Sequence, residues 1–261
     1  MSTPMRQVAR YFAIALGTSA FLATVFTAWT PASLNPGEFV ARMAAAIDLA
    51  GREGPASGGA GGDGEQLGLT IGIIAGHTGL HPDSGLPDPG ATCPDGFNEA
   101  QVNQEIASRV GQGLAAAGFD VVLLQEWDSR LQGYRAAALV SIHADSCAPI
   151  NEEATGYKVS AALDTVIPDR AQRLVACLSD RYGRVTSLRF HPGSITRDMT
   201  EYHTFNEIDN QTPAAIIEVG FLYLDREFLT SEPHKAAQGI VEGILCYLNN
   251  EPASLPGEAS P

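Results

Sequence analysis

The sequence predicts an α/β fold: a single three-layer domain in which a largely parallel or mixed sheet is flanked by helices. Short apolar runs alternate along the chain with segments of helical periodicity, which is the pattern of strands joined by crossover helices. The clearest apolar runs, each of a length typical of a strand buried on both faces, are residues 69–75, 121–124, 138–144 and 214–219. Residues 155–162 alternate less regularly, so we expect that segment nearer an edge of the sheet.

Three helices are predicted from apolar spacing and from end signals. Asn98 can cap a helix whose apolar residues recur at every third or fourth position as far as Gly118. Pro168 and Pro233 suit the first turns of two further helices, which we expect to run to residues 182 and 249. Sheets built in this way gather functional residues at the carboxyl ends of their strands.

Composition limits the classes of partner. The chain has 261 residues, 44% of them hydrophobic, which is enough for one domain with a substantial core. Its formal net charge is −14, and no block of Lys or Arg stands out. This balance argues against nucleic acid as a partner, because such binding rests on basic patches.

The N-terminal residues have the composition of a membrane anchor followed by a tether. Arg6 and Arg10 precede an uncharged stretch, residues 11–29, whose helical length of about 28 Å approaches the ~30 Å hydrocarbon core of a bilayer. We therefore expect residues 1–30 to be a signal anchor and the rest of the chain to be exported, with a cleaved signal peptide as the alternative. The remaining expected parts are a juxtamembrane segment and Gly-rich linker (31–66), the folded domain (67–250) and a flexible tail (251–261).

The four cysteines are Cys93, Cys147, Cys177 and Cys246. They contain no Cys-x-x-Cys pair, which argues against a zinc knuckle, and export to an oxidising compartment permits disulfides. Their spacing leaves three pairings open, and four reduced, buried cysteines are the alternative.

Titratable side chains stand at the ends of three predicted strands. His77 follows the first strand, His143 lies near the end of the third, and Glu218 lies near the end of the last. Glu99 is expected in the first turn of the helix that Asn98 caps. Two imidazoles and a carboxylate that converge from separate elements would form a three-ligand zinc site with a fourth position for water. Glu218 would then be the carboxylate that serves as the base.

Taken singly, these residues also suit ordinary structural roles, but four segments together resemble the motifs of a known family. Residues 73–79 (IIAGHTG) resemble the opening motif of the zinc-dependent N-acetylmuramoyl-L-alanine amidases, the amidase-3 family. Residues 99–107 (EAQVNQEIA) are similar to that family's Glu-x-x-x-Asn-x-x-Ile/Leu-Ala pattern. Residues 141–145 (SIHAD) and 217–221 (IEVGF) resemble the segments that carry its second histidine and its catalytic glutamate. The four segments occur in the order of the family's motifs.

The resemblance implies a peptidoglycan hydrolase that cleaves the amide bond between the lactyl group of N-acetylmuramic acid and L-alanine of the stem peptide. His77, Glu99 and His143 would hold one Zn²⁺ per chain, and Glu218 would be the general base for a zinc-activated water. A zinc peptidase acting on another stem-peptide bond and a non-catalytic wall-binding or regulatory module are the alternatives. The expected partners are peptidoglycan, from the resemblance, and the membrane, from the N-terminal segment; an activator or regulator is possible, but the sequence does not reveal one.

Three further residues are candidates for binding substrate. Asp145 follows His143 by two positions and shares its side of the strand, where it would either support the metal site or face the substrate. Arg197 and His203 would bind the free carboxylates of a stem peptide, or else belong to a solvated loop.

The implied ligand set also bears on the cysteines. Because Cys93 and Cys147 flank two of the expected ligands, Cys93–Cys147 is the favoured disulfide, which leaves Cys177–Cys246 as the second. The sequence departs from the family's opening motif at Ile74, where the family has an Asp that could orient the metal site from outside the ligand set.

Overall fold

Five strands form one mixed sheet in the computed structural model, which describes residues 70–256. In chain order they are β1 (Thr70–Ala75), β2 (Asp120–Gln125), β3 (Ala138–Asp145), β4 (Lys158–Ser160) and β5 (Ala214–Phe221). Their order across the sheet is β2-β1-β3-β5-β4, with β4 antiparallel to β5 and the other neighbours parallel. The predicted strands are confirmed, and the segment expected near an edge contains the edge strand β4.

The predicted anchor (residues 1–30) and linker (31–66) lie outside the described residues, as do residues 257–261. Between residues 70 and 256, no helix has both the length and the apolar character needed to cross a membrane. The first part of the predicted tail, residues 251–256, lies against the domain, because Arg181 binds the carboxylate of Glu251 at 3.1 Å and Leu255 packs on the core.

Long helices cover one face of the sheet. The six α-helices of the described residues are α1 (Glu99–Ala116), α2 (Pro168–Thr186), α3 (Arg197–Thr200), α4 (Thr204–Glu207), α5 (Arg226–Ser231) and α6 (Pro233–Leu248). Helix α1 begins as predicted, because the side chain of Asn98 accepts a hydrogen bond from the backbone N–H of Gln101 at 3.1 Å. Helices α1, α2 and α6 are the three long ones, and their apolar sides share one core cluster with the sheet. Burial of each fully enclosed Leu or Ile in that cluster contributes about 1.5–3 kcal/mol to folding.

The opposite face of the sheet is covered by short helices and loops rather than by long helices. Met199 of α3 and the neighbouring Tyr202 pack on Ile216 of β5. A second cluster joins Ile208, just after α4, to side chains of β1, β2 and β3. The expected third layer is therefore present, but it is built from one-turn helices because no long run of helical periodicity occurs between α2 and β5.

Ile74 belongs to this second cluster. It is fully buried and packs with Leu124, Leu131 and Leu139, whereas its neighbours Ile73 and Ala75 face the α1 side. A carboxylate at this position would enter an apolar layer on the face turned away from α1.

The change Ile74→Asp is therefore expected to lower the free energy of unfolding by at least about 2 kcal/mol, because the new carboxyl group would be buried among Leu124, Leu131 and Leu139. Ile74→Val is the matched control, with an expected loss of about 0.5–1.5 kcal/mol. Guanidinium denaturation of both variants measures the difference. Equal losses would show that a carboxyl group at this position finds a partner.

Two disulfides connect parts of the domain that lie far apart in sequence. Cys93, in the loop before α1, is joined to Cys147, in the loop after β3, with a Cα–Cα separation of 5.3 Å. Cys177 of α2 is joined to Cys246 of α6 across 5.7 Å. These are the two pairs that were favoured from the sequence, and both separations are ordinary for disulfides.

Candidate active site

An open cleft of about 620 Å³ lies at the carboxyl ends of the central strands. His77 enters it from the end of β1, His143 from β3 and Glu218 from β5. Glu99 reaches the same cleft from the first turn of α1. The topology thus brings together the four residues singled out from the sequence, because parallel strands end at one edge of the sheet and α1 starts there.

His77, Glu99 and His143 form a compact group. Each offers one ligand atom, and these atoms all lie within 4.8 Å of one another. Oε2 of Glu99 is 3.6 Å from Nε2 of His77, and its Oε1 is 3.1 Å from Nδ1 of His143. The Glu99 carboxylate therefore lies between the two imidazoles. Glu99 and His143 are buried, whereas the side chain of His77 is 29% exposed and opens toward the cleft.

Glycines allow the backbone to pass close to this group. A Cβ at Gly76 would lie 2.4 Å from the ring of His143. A Cβ at Gly90 would lie 2.7 Å from Oε2 of Glu99 and from the ring of His77. Gly90 also has φ +63°, a left-handed conformation that favours glycine. Side chains at either position would displace an expected ligand.

The residues around the group suit a zinc ion. Two imidazole nitrogens and one carboxylate are a donor set of catalytic zinc sites. The ring nitrogen of His77 that faces away from Glu99, Nδ1, is 2.9 Å from Oδ2 of Asp88. Such carboxylate–histidine pairs hold the ring and its tautomer in zinc proteins. Burial alone would raise the pKa of Asp88, but its hydrogen bonds to His77 and to the backbone N–H of Gly90, together with the charge of His77, outweigh burial and lower that pKa.

Neighbouring groups hold the Glu99 carboxylate in place. Its Oε1 accepts a hydrogen bond from the backbone N–H of Ala144, and its Oε2 accepts one from that of Ala91, each at 3.1 Å. The side chain of Asn103, one turn further along α1, donates to the Gly76 carbonyl at 2.9 Å and to Oε1 of Glu99 at 3.3 Å. This double contact gives the Glu-x-x-x-Asn spacing a structural role.

Glu218 stands beside His143, to which it is paired in register across β3 and β5. Its Oε2 is buried and has no hydrogen-bond partner among residues 70–256. Burial raises the pKa of Glu218 to about 7; His143 opposes this rise, and the charge of Glu99 adds to it. A carboxyl group with a pKa near neutrality can both accept and return a proton.

The residues predicted to bind substrate have different positions. Asp145 lines the cleft, but its carboxylate is engaged by Nζ of Lys158. His203 also lines the cleft and stacks on Trp127, with ring centroids 3.9 Å apart. Arg197 is not among the described residues that line the cleft: its side chain is 82% exposed and pairs with Glu201 at 2.8 Å. The structure therefore brings two of the three to the cleft.

Several cleft residues were missed from the sequence. Glu126 is buried and directly follows β2, so the rule that selected the other strand-end residues could have found it. Lys158 is a buried cation within a strand, which is itself a signal of a polar site. Asp88 lies in a loop rich in Pro and Gly, and no sequence pattern points to it.

Burial alone would raise the pKa of Glu126, but hydrogen bonds to His143 and His203 outweigh burial and hold that pKa well below its usual range. Burial would lower the pKa of His143, but Glu126 and Glu99 raise it well above its ordinary value. The cleft thus contains alternating carboxylates and imidazoles that support one another electrostatically.

Solved structures share this fold. The CwlD amidase from Clostridioides difficile, solved in complex with the GerS lipoprotein, matches with a TM-score of 0.54 and 24% identity over 70% of this chain and 100% of that one. An N-acetylmuramoyl-L-alanine amidase from Clostridium difficile 630 matches with a TM-score of 0.53 and 22% identity over 71% and 100% of the two chains. Ami1 from Mycobacterium smegmatis matches with a TM-score of 0.52 and 20% identity over 71% and 99%.

No curated protein sequence matches the chain at comparable significance. A sequence model of the amidase-3 family, described as N-acetylmuramoyl-L-alanine amidase, matches residues 71–246, from β1 to the last turns of α6. This match covers the sheet, the three long helices and the four candidate site residues, and the chain therefore belongs to the N-acetylmuramoyl-L-alanine amidase family.

Proposed function

We propose that this chain uses one zinc ion, held by His77, Glu99 and His143, to hydrolyse the amide bond between the lactyl group of N-acetylmuramic acid and L-alanine of the stem peptide. The observation that carries the proposal is the grouping of three ligand atoms within 4.8 Å at a cleft that also contains Glu218. Family membership supports peptidoglycan as the substrate.

A zinc ion bound at this position supplies Lewis acidity, which can lower the pKa of a coordinated water to about 7 and polarise the lactyl carbonyl. His77 presents Nε2 because Asp88 holds its other ring nitrogen, and His143 presents Nδ1. Glu218 accepts the proton of the attacking water and delivers it to the leaving nitrogen of L-alanine. The buried Oε2 of Glu218 is suited to this task, because no described residue forms a hydrogen bond with it.

The walls of the cleft are proposed to hold the substrate. Trp127 and His203 form a stacked pair on one side, and Asp145 with Lys158 forms an ion pair within the same cleft. We propose that His203 and Asp145 shape substrate binding, and that Asp145 does so through its ion pair with Lys158. Arg197 is directed to solvent and has no role in this proposal.

The proposed substrate places the domain outside the cytoplasm. The uncharged stretch 11–29 after Arg6 and Arg10 supports an anchor, and protease treatment and membrane sedimentation of cells stripped of their wall and any outer membrane test it. Protection of the domain in those cells would contradict export, and a chain absent from the membrane fraction would contradict the anchor. An activator or regulator of this chain is a further proposal, for which the CwlD–GerS complex is a structural precedent at the level of fold.

Digestion of purified muropeptides is the direct test of the reaction. The full chain is expected to release intact stem peptides from the glycan, identified by mass spectrometry, and a chelator is expected to stop the release because the ligands His77 and His143 then lack their ion. Fragments cut within the stem peptide would instead identify a peptidase. Absence of any cleavage by the zinc-loaded chain would contradict hydrolysis by this chain alone and would favour a wall-binding or regulatory module.

A further inference from the structure

A buried carboxylate that belongs to none of the four sequence motifs lies beside the proposed metal ligands. Glu126 follows β2 by one residue, and its side chain is 4% exposed. Its Oε2 accepts a hydrogen bond from the backbone N–H of His77 at 3.0 Å and lies 3.4 Å from Nε2 of His143. Its Oε1 lies 2.8 Å from Nε2 of His203. One carboxylate thus contacts both proposed metal histidines and a histidine of the cleft wall.

The contacts of Glu126 are on the sides of these histidines that face away from Glu99. His143 directs Nδ1 at Glu99, so the ring nitrogen beside Glu126 is the other one, Nε2. His77 is contacted through its backbone and not through its ring. The group of described residues whose ligand atoms converge contains His77, Glu99 and His143 but not Glu126. Glu126 is therefore placed to orient ligands and not to be one.

The two contacts have separate consequences for the site. An acceptor at Nε2 of His143 favours the tautomer that carries its proton there and leaves the lone pair of Nδ1 free for a metal. His77 has φ +56°, a left-handed conformation that non-glycine residues seldom adopt unless their surroundings hold it. The hydrogen bond from the His77 N–H to Glu126 holds that backbone where the ring can face Glu99.

We propose that Glu126 is a positioning residue for the metal site, which sets the tautomer of His143 and the backbone of His77. The inference rests on the proposed function only in taking His77, Glu99 and His143 as the ligands. Ser141 is the competing partner, because its Oγ lies 3.1 Å from Nε2 of His143 and 3.0 Å from the hydroxyl of Tyr202. The carboxylate is the stronger acceptor of the two, because hydrogen bonds to an ionised group exceed those to a neutral hydroxyl.

The test compares zinc affinity in three variants of the full chain, measured by competition with a chromogenic chelator. Glu126→Gln is expected to weaken zinc binding by about 10–100-fold while still binding one ion at saturation. Glu207→Gln is the matched control, because Glu207 lies 2.7 Å from the other ring nitrogen of His203 and has no described contact with a metal histidine. The Glu207→Gln variant is expected to bind zinc with the affinity of the parent. The Ser141→Ala variant is expected to lose less zinc affinity than Glu126→Gln.

Two spectroscopic measurements separate positioning from general damage to the fold. With Co²⁺ in place of zinc, the Glu126→Gln variant is expected to show the same visible absorption bands as the parent, because the number of ligands around the ion is unchanged. In the zinc-loaded parent, ¹⁵N NMR is expected to show His143 protonated at Nε2. This second measurement needs no variant and tests the geometric premise, that Nδ1 faces the ion and Nε2 is left to face Glu126.

The outcomes that overturn the inference are distinct from those that overturn the proposed function. Unchanged zinc affinity in Glu126→Gln, or a larger effect of Ser141→Ala, removes Glu126 from its positioning role. Complete loss of zinc with altered Co²⁺ bands would make Glu126 a ligand instead. Protonation of His143 at Nδ1 would also contradict the inference. A parent chain that binds no zinc would contradict the proposed function itself.

Discussion

Glu218→Gln is expected to lower kcat for muropeptide hydrolysis by about 10²–10⁴-fold, because an amide can neither take the proton of the attacking water nor return it to the leaving nitrogen. The substitution keeps the size of the side chain, and Glu218 lies outside the group formed by His77, Glu99 and His143. Zinc content is therefore expected to match that of the parent. Product release followed by mass spectrometry, together with metal analysis of the same sample, measures both quantities.

The control for this change is Glu227→Gln, which removes an exposed carboxylate from α5. It is expected to leave both rate and zinc content at the parent's values. A Glu218→Gln enzyme that hydrolyses muropeptides as fast as the parent would show that another group transfers the proton. Loss of zinc in that variant would instead place Glu218 among the ligands.

The buried strands and helices were predictable because their pattern of apolar residues is local in the sequence. The strands ending before His77 and around His143 are apolar on both faces, which is typical of strands buried within a parallel sheet. Asn98 and Gly118 marked both ends of α1, and Gly118 does adopt a left-handed φ of +92°. A third layer was predicted, but its short helices α3 and α4 were not, because helices of four residues have no periodicity to detect.

The candidate site could be predicted only where its residues stand at the ends of predicted elements. His77, Glu99, His143 and Glu218 satisfy that condition, and their motifs occur in order. The direction of a loop side chain depends on contacts that are remote in sequence, as with Arg197, which pairs with Glu201 and not with the cleft.

Partners of the site residues were the least predictable feature. Asp145 was recognised as close to His143, but its ion pair with Lys158 depends on β4 pairing antiparallel with β5 at the edge of the sheet. Glu126 is 49 residues from His77, and the hydrogen bond between them requires β1 and β2 to be neighbours in the sheet. Sequence spacing alone does not contain that information.

Substitution of His143 is expected to have a large effect on zinc binding and on the stability that zinc confers. His143→Ala removes one of three proposed ligands and is expected to abolish stoichiometric zinc binding and hydrolysis together. Because an ion that binds only the folded state stabilises it, the parent should gain about 4 kcal/mol of unfolding free energy when free zinc is 1,000 times its Kd. The variant should gain none, because its remaining ligands, His77 and Glu99, leave the site incomplete.

Denaturation curves with and without zinc separate this effect from a loss of packing. His143 is buried between Glu99 and Glu126, so its removal also lowers the stability of the metal-free protein, and only the difference between the two curves reports on the ion. His234→Ala, an exposed histidine in the first turn of α6, is the control and should retain the full gain. A zinc-dependent gain that survives in His143→Ala would mean that the stabilising ion binds elsewhere, and the assignment of this cleft as the metal centre would then be wrong.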